Sequence, residues 1–292
     1  MKIYIIKTEK KFRPERQIFK YPAHNKDYGV EQDFSKYLSN NKQLLTEDPL
    51  EADWHYLPIF WTRWHLNHNY GKEGIKELEK GCGEKIIDYK KTFSICQYDD
   101  GPLVDLKETI LFLASRKDIN GVDIPLLSSH HRMPFFNKKK IFLGSFIGRT
   151  STHIIRENLK KKFFNKENYF IADGNFGSHF FVKNTLKSFV SFCPRGYGGS
   201  SFRFFESMQL GVVPFLIGDL DTRPFKEQID WEKISFYTSN TEDIEKIISL
   251  KTKEELLKMG EEARKVYEKK LSYQKWCECL ITKLETIKNG KY

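Results

Sequence analysis

The chain has 292 residues, 39% of them hydrophobic and 15% aromatic, with a formal net charge of +10. That length suits about two domains, and so much apolar side chain excludes wholesale disorder. Five cysteines with no CxxC pair exclude a disulfide scaffold and point to a reducing compartment.

In chain order, residues 2–6 read as a first buried strand. Residues 33–45 carry a helical stripe of Phe34, Tyr37, Leu38, Leu44 and Leu45. Residues 52–60 read as a strand, and 61–70 as a helix or loop rich in Trp and His. Strands follow at 92–97, 109–115 and 122–127, with Tyr98-Asp99-Asp100-Gly101-Pro102 as the loop after the first of these. A second α/β series begins near Lys140: a strand at 141–146, a helix at 151–164 with Ile154, Ile155, Leu159 and Phe163 on its apolar side, and a strand at 169–172. A helix at 178–187 and strands at 188–193, 212–217 and 234–237 complete it. The last fifty or so residues are helical, over 243–250, 253–270 and 273–287. Alternation at this spacing predicts a doubly wound parallel sheet.

Residues 188–220 carry the most chemistry. A strand ends at Pro194, Gly196, Gly198 and Gly199 follow, and Ser200 or Ser201 is placed to cap a helix that Gly211 terminates. A helix N-terminus facing a glycine-rich turn is how α/β proteins hold phosphate. Arg195 and Arg203 add planar, permanently charged donors suited to a diphosphate. Neither GxxxxGK[ST] nor GxGxxG is present, which argues against a P-loop NTPase or a dinucleotide fold. Glu206 lies too far from either serine for a capping box, and a carboxylate there can accept from both ribose hydroxyls.

With these residues in view, the chain resembles the exostosin family of glycosyltransferases. The resemblance is carried by CPRGYGGSSFRFFESMQLGVVPFLIGD, by RPFKEQIDW after it, and by FLGSFIGR with IRENL before it. These blocks span residues 140–237, about a third of the chain; ADWHYLPIF and the YDDGP loop match more loosely. The resemblance implies an α/β chain of GT-B architecture, two Rossmann-like domains facing a cleft with a helical C-terminus. The expected division is 1–138 on the acceptor side, 139–270 for the nucleotide-sugar, and 271–292 as a helix returning to the first domain. It also implies an inverting, metal-independent enzyme with no cofactor beyond a nucleotide-sugar, UDP-linked by expectation, and a glycan or glycoprotein acceptor. A pentose or a hexose donor fits, and xylose falls within the range of the family.

Arg149, Arg156, Arg195, Gly196, Tyr197, Gly198, Gly199, Ser200, Ser201, Arg203 and Glu206 are the expected nucleotide-sugar residues. Glu206 is the expected ribose ligand, and Tyr197 either stacks on the base or walls the loop. An inverting transfer needs a general base, for which Asp100, or its neighbour Asp99, lies at a strand end. An Asp-Asp-Gly turn is the competing reading of the same residues. His24, His55, His130 and His131 are rivals for the base, and the histidine pair also suits phosphate binding. Trp54, Trp61 and Trp64 are either an acceptor-sugar platform or core. Asp219-Leu220-Asp221 has the form of a metal-binding DxD, but its position in the second series makes it a loop beside the donor sugar. Two further readings stand beside the enzyme: a non-catalytic glycan- or nucleotide-binding protein of the same fold, and a nucleic-acid binder. The last would gather its basic charge on one face, whereas here acids are interleaved beyond the runs 138–140 and 160–162. No run reaches the roughly 20 apolar residues of a membrane span, and MKIYIIKTEK is too short in apolar residues for a signal peptide, so a soluble, cytoplasmic protein is expected.

Overall fold

The structure is a computed structural model, and it describes residues 1–15, 29–133 and 139–290. It divides into one unit of Met1–Ile124 with Tyr273–Tyr292, and a second of Pro125–Ser272. His24, Pro134 and Lys138 lie outside the described residues. His130 and His131 belong to the second unit.

The first unit contains β1 (Ile3–Ile5), α1 (Val30–Asn40), β2 (Leu45–Thr46), β3 (Trp54–Tyr56), α2 (Trp61–Asn67), α3 (Ile75–Gly83), β4 (Thr92–Cys96), β5 (Ile110–Leu113) and β6 (Val122–Asp123). All its strand pairs are parallel, in the order β2-β1-β3-β4-β5-β6. The strand expected over 52–60 is held to three residues because Pro58 has no N–H to offer a ladder. Trp54, Trp61 and Trp64 are at most 5% exposed, and Trp61 Nε1 donates to Ser94 Oγ at 2.9 Å. The sugar-platform reading is withdrawn: Trp61 and Trp64 are packed in a core cluster with Ile59, Leu78, Cys96 and Leu113, and Trp54 is buried within β3.

The second unit contains β7 (Phe142–Gly148), α4 (Ile154–Phe163), β8 (Tyr169–Asp173), α5 (Ser178–Thr185), β9 (Ser188–Pro194), α6 (Phe202–Gln209), β10 (Val213–Ile217), β11 (Phe236–Thr238), α7 (Ile244–Ser249) and α8 (Lys253–Val266). A π-helical turn, Tyr267–Leu271, ends the helix expected over 253–270, and α9 (Lys275–Lys288) belongs to the first unit. The second sheet is also parallel, in the order β11-β10-β9-β7-β8. Val190, Phe192, Val213, Phe215 and Ile217 fill its core with Phe146 and Phe163. Gly211, at φ +66°, turns the chain from α6 into β10 in a conformation that an L side chain adopts only with strain.

Both sheets are therefore doubly wound α/β. The winding of the second reverses between β7 and β9. In such sheets the crevice for a ligand opens outside the carboxyl ends of the two strands that flank the reversal. Here those ends are Gly148 and Pro194.

Candidate active site

Arg149 follows β7 and is exposed, while Arg195 follows β9 and is buried. The switch point thus has one arginine on each lip. Arg195 forms an ion pair with Asp219 and donates through Nη2 to the Tyr197 carbonyl at 3.2 Å; its Nε has no partner. His153 caps α4, its Nδ1 accepting from Ile155 N at 3.3 Å. Partial burial, with the Arg195 and Arg156 guanidiniums nearby, holds its imidazole below the ordinary range. Burial is the larger cause, and the two guanidiniums act in the same direction against the opposing charge of Asp219.

Arg156 has a different role from the one expected of it. Its Nε donates to the Arg195 carbonyl at 2.8 Å, its Nη2 to the Pro194 carbonyl at 3.1 Å, and its Nη1 to the Arg149 carbonyl at 3.0 Å. The guanidinium braces both lips. Gly196 eases this approach, since a Cβ there would stand 3.2 Å from Arg156 Nη2 and the guanidinium would have to shift. Gly196, Gly198 and Gly199 are not among the residues with left-handed backbone, so the loop does not depend on positive φ. Tyr197 projects from it at 58% exposure.

Ser200 and Ser201 are buried at the start of α6, and Ser201 is its N-cap, although its side chain makes no capping bond. Arg203 Nη1 donates to Glu206 Oε2 at 2.7 Å, and its guanidinium lies 4.2 Å from the centroid of the Phe181 ring. Glu206 is fully buried, with Oε1 3.0 Å from His131 Nε2. Glu206, the expected ribose ligand, is therefore already engaged: a buried charge must be paired, and Arg203 and His131 both serve it.

Asp173, at the end of β8, accepts from Lys160, Thr150 N and Thr150 Oγ1, and those bonds pull its carboxyl down to about 2. It pins the loop that carries Arg149. Of the DxD pair, Asp219 is held by Arg195, and Asp221 by Arg223 and Lys226. Among the described residues no cluster of three or more His, Cys, Asp or Glu forms a metal cage.

In the first unit, Asp99 and Asp100 sit in a turn after β4, and Asp100 is ion-paired with Lys117. His55 is buried, its Nε2 3.0 Å from the Pro49 carbonyl. His130 packs edge-on to Tyr267. Sequence reasoning missed Glu31. Fully buried, it accepts from Thr62 N, Thr62 Oγ1 and Gln97 N at 2.9–3.1 Å, tying α1 to the start of α2 and the end of β4. Burial pushes its carboxyl up to about 7 against the pull of those bonds.

Two doubly wound parallel units, the second with an arginine-lined switch point, are the halves that a GT-B chain requires. The Exostosin GT47 domain model matches residues 106–253, half of the chain, and the protein belongs to that family. Relatives include an Exostosin-1 homolog of Caenorhabditis elegans, 33% identical over 82 residues, which are 27% of this chain and 22% of that protein. A probable glucuronoxylan glucuronosyltransferase of Arabidopsis thaliana is 29% identical over 101 residues, 35% of this chain and 21% of that one. The matched region is thus about a fifth of the length of these relatives. Among solved structures, the chain aligns with S. aureus TarM at a TM-score of 0.39 and 12% identity, over 69% of this chain and 57% of that one. Among the described residues no helix is long and apolar enough to cross a membrane.

Proposed function

We propose that the protein is an inverting, metal-independent glycosyltransferase that moves a sugar from a UDP-linked donor to a glycan hydroxyl. The observation that carries this reading is the pair Arg149 and Arg195, one on each lip of the second unit's switch point. There they would neutralise a diphosphate leaving group, with the Arg156 brace fixing both lips beforehand. Tyr197 stands where an exposed ring could stack on a base. Glu206 is the proposed ribose acceptor. Arg203, whose side chain is 22% exposed against 2% for His131, is the partner a ribose would displace. Asp100 is the proposed base that takes the proton of the acceptor hydroxyl. Xylose remains within this proposal as a donor sugar, since no described residue selects among sugars.

A non-catalytic nucleotide- or glycan-binding protein is the second reading. The observation favouring it is the Asp100–Lys117 pair, which leaves the proposed base already engaged.

Thermal unfolding with UDP, GDP, CMP and ADP, each with EDTA or Mn²⁺, tests the proposal. A nucleotide at about 100 times its dissociation constant adds roughly 2.7 kcal/mol. Selective, EDTA-insensitive stabilisation by UDP is the expected result. Stabilisation only with Mn²⁺ overturns metal independence, and no stabilisation by any nucleotide overturns the donor site. UDP binding without turnover on any glycan supports the second reading.

A further inference from the structure

His131 joins more of the second unit than any role given to it so far. Its Nε2 lies 3.0 Å from Glu206 Oε1 and its Nδ1 2.8 Å from Ser178 Oγ, the first residue of α5. Its backbone N–H donates to Gln209 Oε1 at 3.1 Å, and Gln209 Nε2 donates in turn to the Tyr267 hydroxyl at 2.9 Å. The imidazole also packs on Phe181, 5.4 Å between centroids, the same ring that supports the Arg203 guanidinium. A carboxylate oxygen accepts, so Nε2–H is the donor to Glu206 Oε1, and Nδ1 and the Ser178 hydroxyl are within hydrogen-bond distance on the other side of the ring. His131 is 2% exposed and Glu206 fully buried, so a ribose would reach Glu206 only where the more exposed Arg203 gives way.

We propose that His131 is a positioning residue for the donor nucleotide. By fixing Oε1 of Glu206 from the α5 side, it turns Oε2 toward Arg203 and toward the ribose. This rests on the donor-site reading above. Phe181 completes the arrangement by supporting both the ring that holds Glu206 and the cation that competes with the ribose for it.

The amides of Gln and Asn separate this role from a merely structural one. The longer Gln can place its N–H₂ near the position of Nε2, and Asn can replace only Nδ1. UDP is the probe, titrated calorimetrically into the full chain. His131→Gln is expected to bind UDP within about threefold of the unsubstituted protein. His131→Asn is expected to bind it about tenfold more weakly, as for loss of a hydrogen bond to a charged group. In a Glu206→Gln background the His131→Asn loss is expected to shrink to about twofold, because the two residues act as one unit. Ser178→Ala, a milder change at the far anchor, is expected to weaken UDP by about threefold at unchanged melting temperature. Equal affinities for the Asn and Gln variants, or an undiminished Asn effect in the Glu206→Gln background, overturn the proposal, and so does failure of both His131 variants to fold with Ser178→Ala binding normally. An unsubstituted chain that binds no UDP overturns the donor-site reading itself, and this inference with it.

Discussion

Arg156 Nε donates to the backbone carbonyl of Arg195 at 2.8 Å, so helix α4 grips the loop that leaves the neighbouring strand β9. Two further bonds, to the Pro194 and Arg149 carbonyls, let this one side chain tie the two lips together. Arg149, by contrast, is exposed. The two arginines therefore separate by measurement. Arg156→Ala removes the side-chain donor to the part-buried Pro194 and Arg195 carbonyls and is expected to cost about 1–3 kcal/mol of stability and to weaken UDP as well. Arg149→Ala is expected to weaken UDP and leave the unfolding midpoint unchanged. An Arg156→Ala protein as stable as its parent removes the brace from the account.

Glu31 sets a pH dependence in the first unit. Burial raises its carboxyl from about 4.5 to about 7 in the folded protein, so the folded state holds a proton that the unfolded chain releases. Its stabilising contribution is full below the unfolded value and fades as pH rises through about 7, by at most roughly 3 kcal/mol. Asp33 is raised to about 7 by the same cause and adds a slope of the same sign. Glu31→Gln keeps an acceptor for Thr62 and Gln97 and should flatten the fall in melting temperature between pH 5 and 8, leaving the part owed to Asp33. An identical slope in the variant shows that Glu31 does not titrate in this window.

What the sequence made legible follows from where each contact lies along the chain. β9, the glycine loop, α6 and β10 are marked locally, by Pro194, by three glycines and by the stop at Gly211. The Arg156 brace has no local mark, because its acceptors are backbone carbonyls up to 39 residues away. The His131–Glu206 contact spans 75 residues. α3 was missed because Ile75, Leu78 and Cys82 are its only apolar side chains and Gly81 and Gly83 interrupt it; Gly81 lies where a Cβ would meet the Phe12 ring at 2.4 Å. The tryptophans carried two readings because hydrophobicity alone does not tell a core ring from a sugar platform.

All five cysteines are buried. Burial pushes the thiols of Cys82 and Cys193 up to about 12 and raises Cys96 and Cys277 as well. Only the thiolate reacts. The folded protein should therefore leave an aromatic disulfide reagent almost unconsumed over minutes at pH 7.5, and release five equivalents once denatured. Rapid labelling of the native protein would show that one of these packed sites opens.

The Asp100–Lys117 pair decides between the two functional readings, and its exposure makes the test feasible. The side chains are 41% and 40% exposed, and ion pairs in such surroundings contribute less than about 1 kcal/mol. An acceptor hydroxyl can therefore displace Lys117 at little cost. If Asp100 is the base, Asp100→Asn should lower the transfer rate by about 10²–10⁴-fold and leave UDP affinity and the unfolding midpoint as they were. Lys117→Met should retain transfer, since the lysine is a partner to be displaced. Transfer that survives Asp100→Asn assigns the proton to another group, with Asp99 the adjacent candidate. If Lys117→Met abolishes transfer along with Asp100→Asn, the ion pair is needed intact for the loop's shape, and Asp100 is then a turn residue and not the base.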